Sequence, residues 1–176
     1  MNLANWLTMV RIFLVPVFMI LLLETIPYGN YLAAAIFMIA AITDGLDGYV
    51  ARVRKEITKF GKLIDPIADK LLISAALLSL VQLGEINAWV AFVIIGREFA
   101  ISGLRILAAA EGVVISASKL GKLKTLSQII AILALIVGVP GGLAILWFAA
   151  GITIISGVDY FIKAQNIFKD FNKPSS

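Results

Sequence analysis

The chain has 176 residues, 61% of them hydrophobic and 15% charged, with a net charge of +4 and neither cysteine nor histidine. A mean hydropathy of +1.00 and long apolar runs exclude an ordinary water-soluble domain and place the chain in a bilayer. The missing Cys and His exclude disulfides and the usual zinc, copper and iron ligands. The basic residues sit in short loops beside apolar runs, so they do not point to nucleic acid.

The first apolar segment, residues 5 to about 23, is long enough to span and holds Arg11 inside it. No positive n-region precedes it and no small-residue cleavage site follows, so it is expected to stay as a span. Glu24, Pro27, Tyr28, Gly29 and Asn30 form the turn out. The second span, residues 31–54, carries Asp44 and Asp47. Its small residues, Ala33, Ala34, Ala35, Ala40, Ala41, Gly45 and Gly48, would let neighbouring helices approach closely.

A basic loop follows, with Arg54, Lys55 and Lys59. The third span, residues 61–81, has Asp65 and Asp69 near its start. Pro66 either opens that helix or sits within one that begins earlier. The fourth span, residues 88–110, contains Arg97, Glu98 and Arg105. Residues 111–124 read as a basic connection with Lys119, Lys122 and Lys124, and the fifth span runs over 126–139, with a start near Lys122 also compatible. Pro140, Gly141 and Gly142 turn the chain into a sixth span, 143–168, in which Asp159 and Lys163 suit a plain helix ion pair. Trp6, Trp89 and Trp147 suit the membrane interface. The whole chain, 1–176, reads as one all-α integral membrane domain of six transmembrane helices. Lys and Arg are absent from the loops after spans one, three and five and present in the others, which predicts cytoplasmic termini.

Asp44 and Asp47 are spaced i, i+3, and Asp65 and Asp69 i, i+4, so each pair shares a helix face. The predicted topology brings both pairs to similar depth near the cytoplasmic edge. Four carboxylates at close range repel one another unless a cation sits among them. The all-oxygen set suits Mg²⁺, Mn²⁺ or Ca²⁺. Structural ion pairs with Arg52, Arg54, Lys62 and Lys70 are the plainer alternative. Charges at membrane depth are costly, however, and usually functional. Arg97, Arg105, Lys119, Lys122 and Lys124 fall on the same side and can bind phosphate. The three lysines could instead be topology anchors, Arg97 a partner of Glu98, and Arg11 a side chain snorkelling to the interface. A hard-metal site beside a phosphate site, half in lipid, points to phosphoryl chemistry on a lipid.

The pattern Asp44-x2-Asp47-Gly48-x2-Ala51-Arg52-x8-Gly61-x3-Asp65-x3-Asp69 resembles the signature of the CDP-alcohol phosphotransferases at every fixed position. Asn5-x-Leu7-Thr8-x2-Arg11, Gly96-Arg97-Glu98, Leu104-Arg105 and Ala117-x-Lys119-x-Gly121-Lys122-x-Lys124-Thr125 resemble the members whose acceptor is glycerol 3-phosphate. The resemblance implies CDP-diacylglycerol as donor and a site facing the cytoplasm from the cell membrane. It implies that Asp44, Asp47, Asp65 and Asp69 hold Mg²⁺ or Mn²⁺, two ions in all, with Asp69 also the general base. It implies that Gly48, Ala51, Arg52 and Gly61 line the nucleotide pocket. The acceptor phosphate would meet some of Arg97, Arg105, Lys119, Lys122 and Lys124, with Thr8 and Arg11 as further candidates. A homodimer is implied as well.

Three other readings compete, the last of them a purely structural membrane subunit. Another member of the family, one making phosphatidylinositol phosphate, phosphatidylserine or cardiolipin, would share the acidic motif. A divalent-cation transporter would use the carboxylates and leave the basic cluster idle.

Overall fold

In the computed structural model the described residues of the chain fold into helices, with no strand among them. It describes residues 3–54, 59–110 and 119–171, and within these the side chains of all but 3–5, 44–54, 59–63, 65, 66, 69, 110, 119, 120 and 163–171. The helices are α1 (Leu3–Leu23), α2 (Gly29–Arg54), α3 (Lys59–Gln82), α4 (Ala88–Ala110), α5 (Lys119–Val137) and α6 (Gly142–Phe171). The shortest, α5, has 19 residues, about 28 Å at 1.5 Å per residue.

Two differences from the hydropathy reading bear on the site. Helix α5 starts at Lys119, so the lysine-rich stretch from there to Lys124 is its first turns and not a connection. Hydropathy marks only the apolar part of a helix, whereas the backbone goes on forming its hydrogen bonds into polar sequence. Helix α3 starts at Lys59 and continues through Pro66. Of the two possibilities at that proline, the earlier start is the one adopted.

The turns are built by identifiable caps. Gly84, at φ 75°, ends α3: its N–H donates to the Val81 carbonyl and the Glu85 N–H to the Leu80 carbonyl. Gly138, at φ 74°, ends α5 with the same pair of bonds, to Leu135 and from Val139 to Ala134. This is the Schellman arrangement, in which a left-handed glycine lets the last carbonyls find donors. Asn87 opens α4, its Oδ1 accepting from the Trp89 N–H at 2.8 Å. At Gly29 a Cβ would stand 2.5 Å from the Leu21 carbonyl oxygen, so only glycine lets α2 turn back this closely along α1.

Helix α1 packs against α2 and α3, α4 against α3 and α6, and α5 against α6, α2 and α3. The core is narrow because much of it is alanine: Ala33, Ala40, Ala76, Ala131 and Ala149 are fully buried. Phe18 and Phe37 meet between α1 and α2 with ring centroids 5.7 Å apart. The outside is apolar. Phe13, Phe92 and Ile106 are 72%, 67% and 69% exposed, on faces that a protein in water fills with charge. Two segments, Trp6–Leu23 and Gly142–Ile162, are long and apolar enough to cross a membrane among the described residues. Trp6, Trp89 and Trp147 are all exposed, as membrane-interface residues would be.

Candidate active site

A cavity of about 570 Å³ opens between α4, α5 and α6 and reaches α2 and α3. Arg97, Arg105, Lys122 and Lys124 all line it. Four of the five cations singled out in the sequence therefore share one wall. The fifth, Lys119, is the first residue of α5, and its side chain lies outside the described residues.

The four cations are not equivalent. Arg105 and Lys122 are exposed to the cavity mouth. Lys124 is buried, and its ammonium donates to Glu98 Oε1. Arg97 Nη1 lies 3.5 Å from the same carboxylate oxygen. Glu98 thus stands between two cations, and the pairing of Arg97 with its neighbour is seen, though loosely. Two charges with little solvent around them are held most stably when each has such a partner. Arg97 Nη2 also donates to Ser156 Oγ at 2.6 Å, and its guanidinium carbon lies 5.7 Å from the centre of the Tyr160 ring.

Ser102 and Thr125 line the cavity as well. Each hydroxyl donates to a carbonyl one turn back, of Glu98 at 2.8 Å and of Gly121 at 3.2 Å. Both keep lone pairs to offer a ligand.

Two neighbours of the acidic motif reach this cavity. Ala41 and Lys70 are part of its lining. Ala41 lies three residues before Asp44 on α2, and Lys70 directly follows Asp69 on α3. Asp44, Asp47, Gly48, Ala51 and Arg52 all belong to α2, and Gly61, Asp65 and Asp69 to α3, two helices in contact. The side chains of these eight residues lie outside the described residues. No group of three or more acidic side chains forms among the described ones. The donor set that a cation would meet on α2 and α3 is oxygen only, which fits Mg²⁺ or Mn²⁺.

Thr8 and Arg11 are each 1% exposed on α1, the helix packed against both acid-bearing helices. Arg11 therefore does not snorkel to the interface, and neither residue lines the cavity. The ion pair expected for Asp159 and Lys163 lies outside the described residues, because Lys163 does. Sequence reasoning missed Tyr160 and Ser156, and it named Lys70 only as an ion-pair partner for the acids. The one available signal for Lys70 was its position next to Asp69. Ser156 and Tyr160 look like ordinary span residues until α6 is packed on α4.

Comparison with known proteins gives four relevant likenesses. The family model described as CDP-alcohol phosphatidyltransferase matches residues 1–155. A Bacillus subtilis protein named CDP-diacylglycerol--glycerol-3-phosphate 3-phosphatidyltransferase is 44% identical over 97% of this chain and 99% of its own length. A Rickettsia typhi protein of the same name is 40% identical over 95% of this chain and 99% of its own. A Mycobacterium tuberculosis protein named probable phosphatidylglycerophosphate synthase is 43% identical over 93% of this chain and 81% of its own.

Proposed function

The chain belongs to the CDP-alcohol phosphatidyltransferase family, and from that premise we propose that it transfers the phosphatidyl group of CDP-diacylglycerol to glycerol 3-phosphate. The products are phosphatidylglycerol phosphate and CMP. The observation that carries this reading is the cavity lined by Arg97, Arg105, Lys122 and Lys124 together with Ala41 of α2 and Lys70 of α3, the two helices that bear the acidic motif. An acceptor that already carries a phosphate explains four cations there. Serine, with no phosphate, would need fewer of them.

Asp44, Asp47 and Asp65 are the residues that would hold Mg²⁺ or Mn²⁺, joined by Asp69 if two ions bind. A bound ion supplies neutralisation of the pyrophosphate charge as CMP departs. Gly48, Ala51, Arg52 and Gly61 receive the nucleotide. Arg105 and Lys122, exposed at the cavity mouth, meet the acceptor phosphate first, and Arg97 meets it deeper in. Asp69 takes the proton of the acceptor hydroxyl while that oxygen bonds to the lipid-side phosphorus. The pyrophosphate bond to the departing CMP breaks, and the electron pair leaves with CMP. In this reading all six helices span the cell membrane, both termini are cytoplasmic, two copies associate, and the lipid tails of the donor stay in the bilayer.

The decisive experiment is CMP release by the purified protein in detergent micelles with CDP-diacylglycerol and Mg²⁺ or Mn²⁺. Glycerol 3-phosphate, inositol phosphate, serine and phosphatidylglycerol are supplied in parallel. Release with glycerol 3-phosphate alone is expected. Release with a different acceptor alone would overturn the reading of the basic wall and keep the acidic site. Metal uptake into proteoliposomes without any CDP-lipid, and no CMP release, would favour a transporter.

A further inference from the structure

We propose that Ser156, Gly157 and Tyr160 of α6 form a seat that positions the Arg97 guanidinium for the acceptor phosphate, and so help set the affinity for the acceptor. The inference rests on the reading of Arg97 as an acceptor-phosphate ligand. These three residues follow directly after the stretch matched by the family model, which ends at residue 155.

Each of the three touches a different part of Arg97. Ser156, fully buried, accepts from Nη2 at 2.6 Å. The Tyr160 ring lies 5.7 Å from the guanidinium carbon and is itself held by Ile101 and Leu104, buried beside it. Gly157 leaves room for the stem: a Cβ there would stand 3.2 Å from Arg97 Cγ and 3.5 Å from Nε. Spacings of one, three and four residues put all three on one stripe of α6.

The seat is needed because Arg97 has a competitor next to it. Glu98 Oε1 is 3.5 Å from Nη1, a distance that leaves the ion pair loose. A guanidinium free to turn would close on that carboxylate in bidentate fashion and spend its donors there. Ser156 holds the far amino group away from Glu98, and the ring fixes the plane. Arg97 Nε is buried without a hydrogen-bond partner among the described residues. A buried cationic N–H is costly to leave unpaired.

Steady-state kinetics on the full-length protein in micelles tests this. Ser156→Ala is expected to raise KM for glycerol 3-phosphate roughly tenfold, the size expected for one charge-assisted hydrogen bond, and Gly157→Ala, which crowds the Arg97 stem, is expected to raise it as well. KM for CDP-diacylglycerol should stay within about twofold, which also shows that the variants fold. Tyr160→Phe, which keeps the ring, should behave as wild type in KM, and Tyr160→Leu should resemble Ser156→Ala. In an Arg97→Lys background the Ser156→Ala effect should vanish, because the residue it acts through is gone.

Equal rises in both KM values, or a fall in kcat alone, would mark the seat as merely structural and overturn the inference. An Arg97→Ala variant with unchanged KM for glycerol 3-phosphate would overturn the role of Arg97 itself. A wild-type protein that does not turn over glycerol 3-phosphate would overturn the function first, and the seat with it.

Discussion

Asp69 and Arg105 carry opposite halves of the proposed reaction, and their variants should fail differently. Asp69→Asn removes a base but keeps the shape of the side chain. Turnover should fall by at least about 100-fold, the usual contribution of a positioned base. Binding of CDP-diacylglycerol, followed by calorimetry, should survive. Substantial remaining turnover would exclude the base role. Arg105→Ala should instead raise KM for glycerol 3-phosphate more than KM for the lipid, because Arg105 is exposed at the cavity wall and nothing pairs it with the donor. The opposite order would misassign the acceptor site. Glu98 is expected to matter for stability as much as for chemistry. Lys124 is buried against it, so Glu98→Gln takes a counter-charge away from a buried ammonium. Thermal unfolding in detergent should show a loss of about 3 kcal/mol. The double variant Glu98→Gln/Lys124→Met should lose less than the two single variants combined.

Helix α6 links these local features, because one stripe of it faces both α5 and α4. Thr153 lies one turn before Ser156 and Gly157 and accepts from Gln128 Nε2 of α5 at 2.9 Å. Its own hydroxyl donates to the Ala149 carbonyl at 2.6 Å. Gln128 and Thr153 are both buried. With no water to compete and no apolar driving force between helices in lipid, such bonds help fix which helices pair. Replacing Gln128 with Leu should cost about 1 kcal/mol in detergent unfolding. The same substitution in a Thr153→Val background should cost clearly less. Equal costs would mean the bond contributes nothing to α5–α6 packing.

The helices themselves were largely readable from apolar runs. The spans read from hydropathy match α1 to α4 to within two residues at each end and α6 to within three. The start of α5 was not, because Lys119 to Lys124 are polar where the backbone is already helical. The acidic motif was readable because its spacing is a property of single helices. The Glu98–Lys124 pair and the α6 seat were not. They join residues 26 and 59 positions apart, and only the packing of both α4 and α5 on α6 brings them together.

The molecule as a whole is arranged end to end. Ala41 falls at the middle of α2, Arg105 late in α4, Tyr160 in the second half of α6, and Lys122 early in α5. The cavity therefore occupies the half of the bundle away from the three turns at residues 24–28, 83–87 and 138–141. Those turns hold no Lys or Arg, whereas the opposite connections hold many, so the positive-inside bias predicts that the cavity faces the cytosol. Glycerol 3-phosphate, too charged to cross lipid unaided, would have to be met on the side where it is present. The absence of native cysteine makes this directly testable, since any introduced thiol is the only one in the chain. Single variants Tyr28→Cys, Leu83→Cys and Val139→Cys place a thiol at exposed positions in each of the three turns. Lys55→Cys and Lys173→Cys place one in the basic loop and in the tail. A membrane-impermeant maleimide added to intact cells is expected to label the first three and to reach the last two only after permeabilisation. Labelling of Lys55→Cys in intact cells, with the turn positions protected, would invert the orientation and put the cations on the wrong side for a cytosolic acceptor. Labelling of Tyr28→Cys and Leu83→Cys on opposite sides would break the six-span arrangement itself. The acidic and basic walls would then need another way to meet the two substrates.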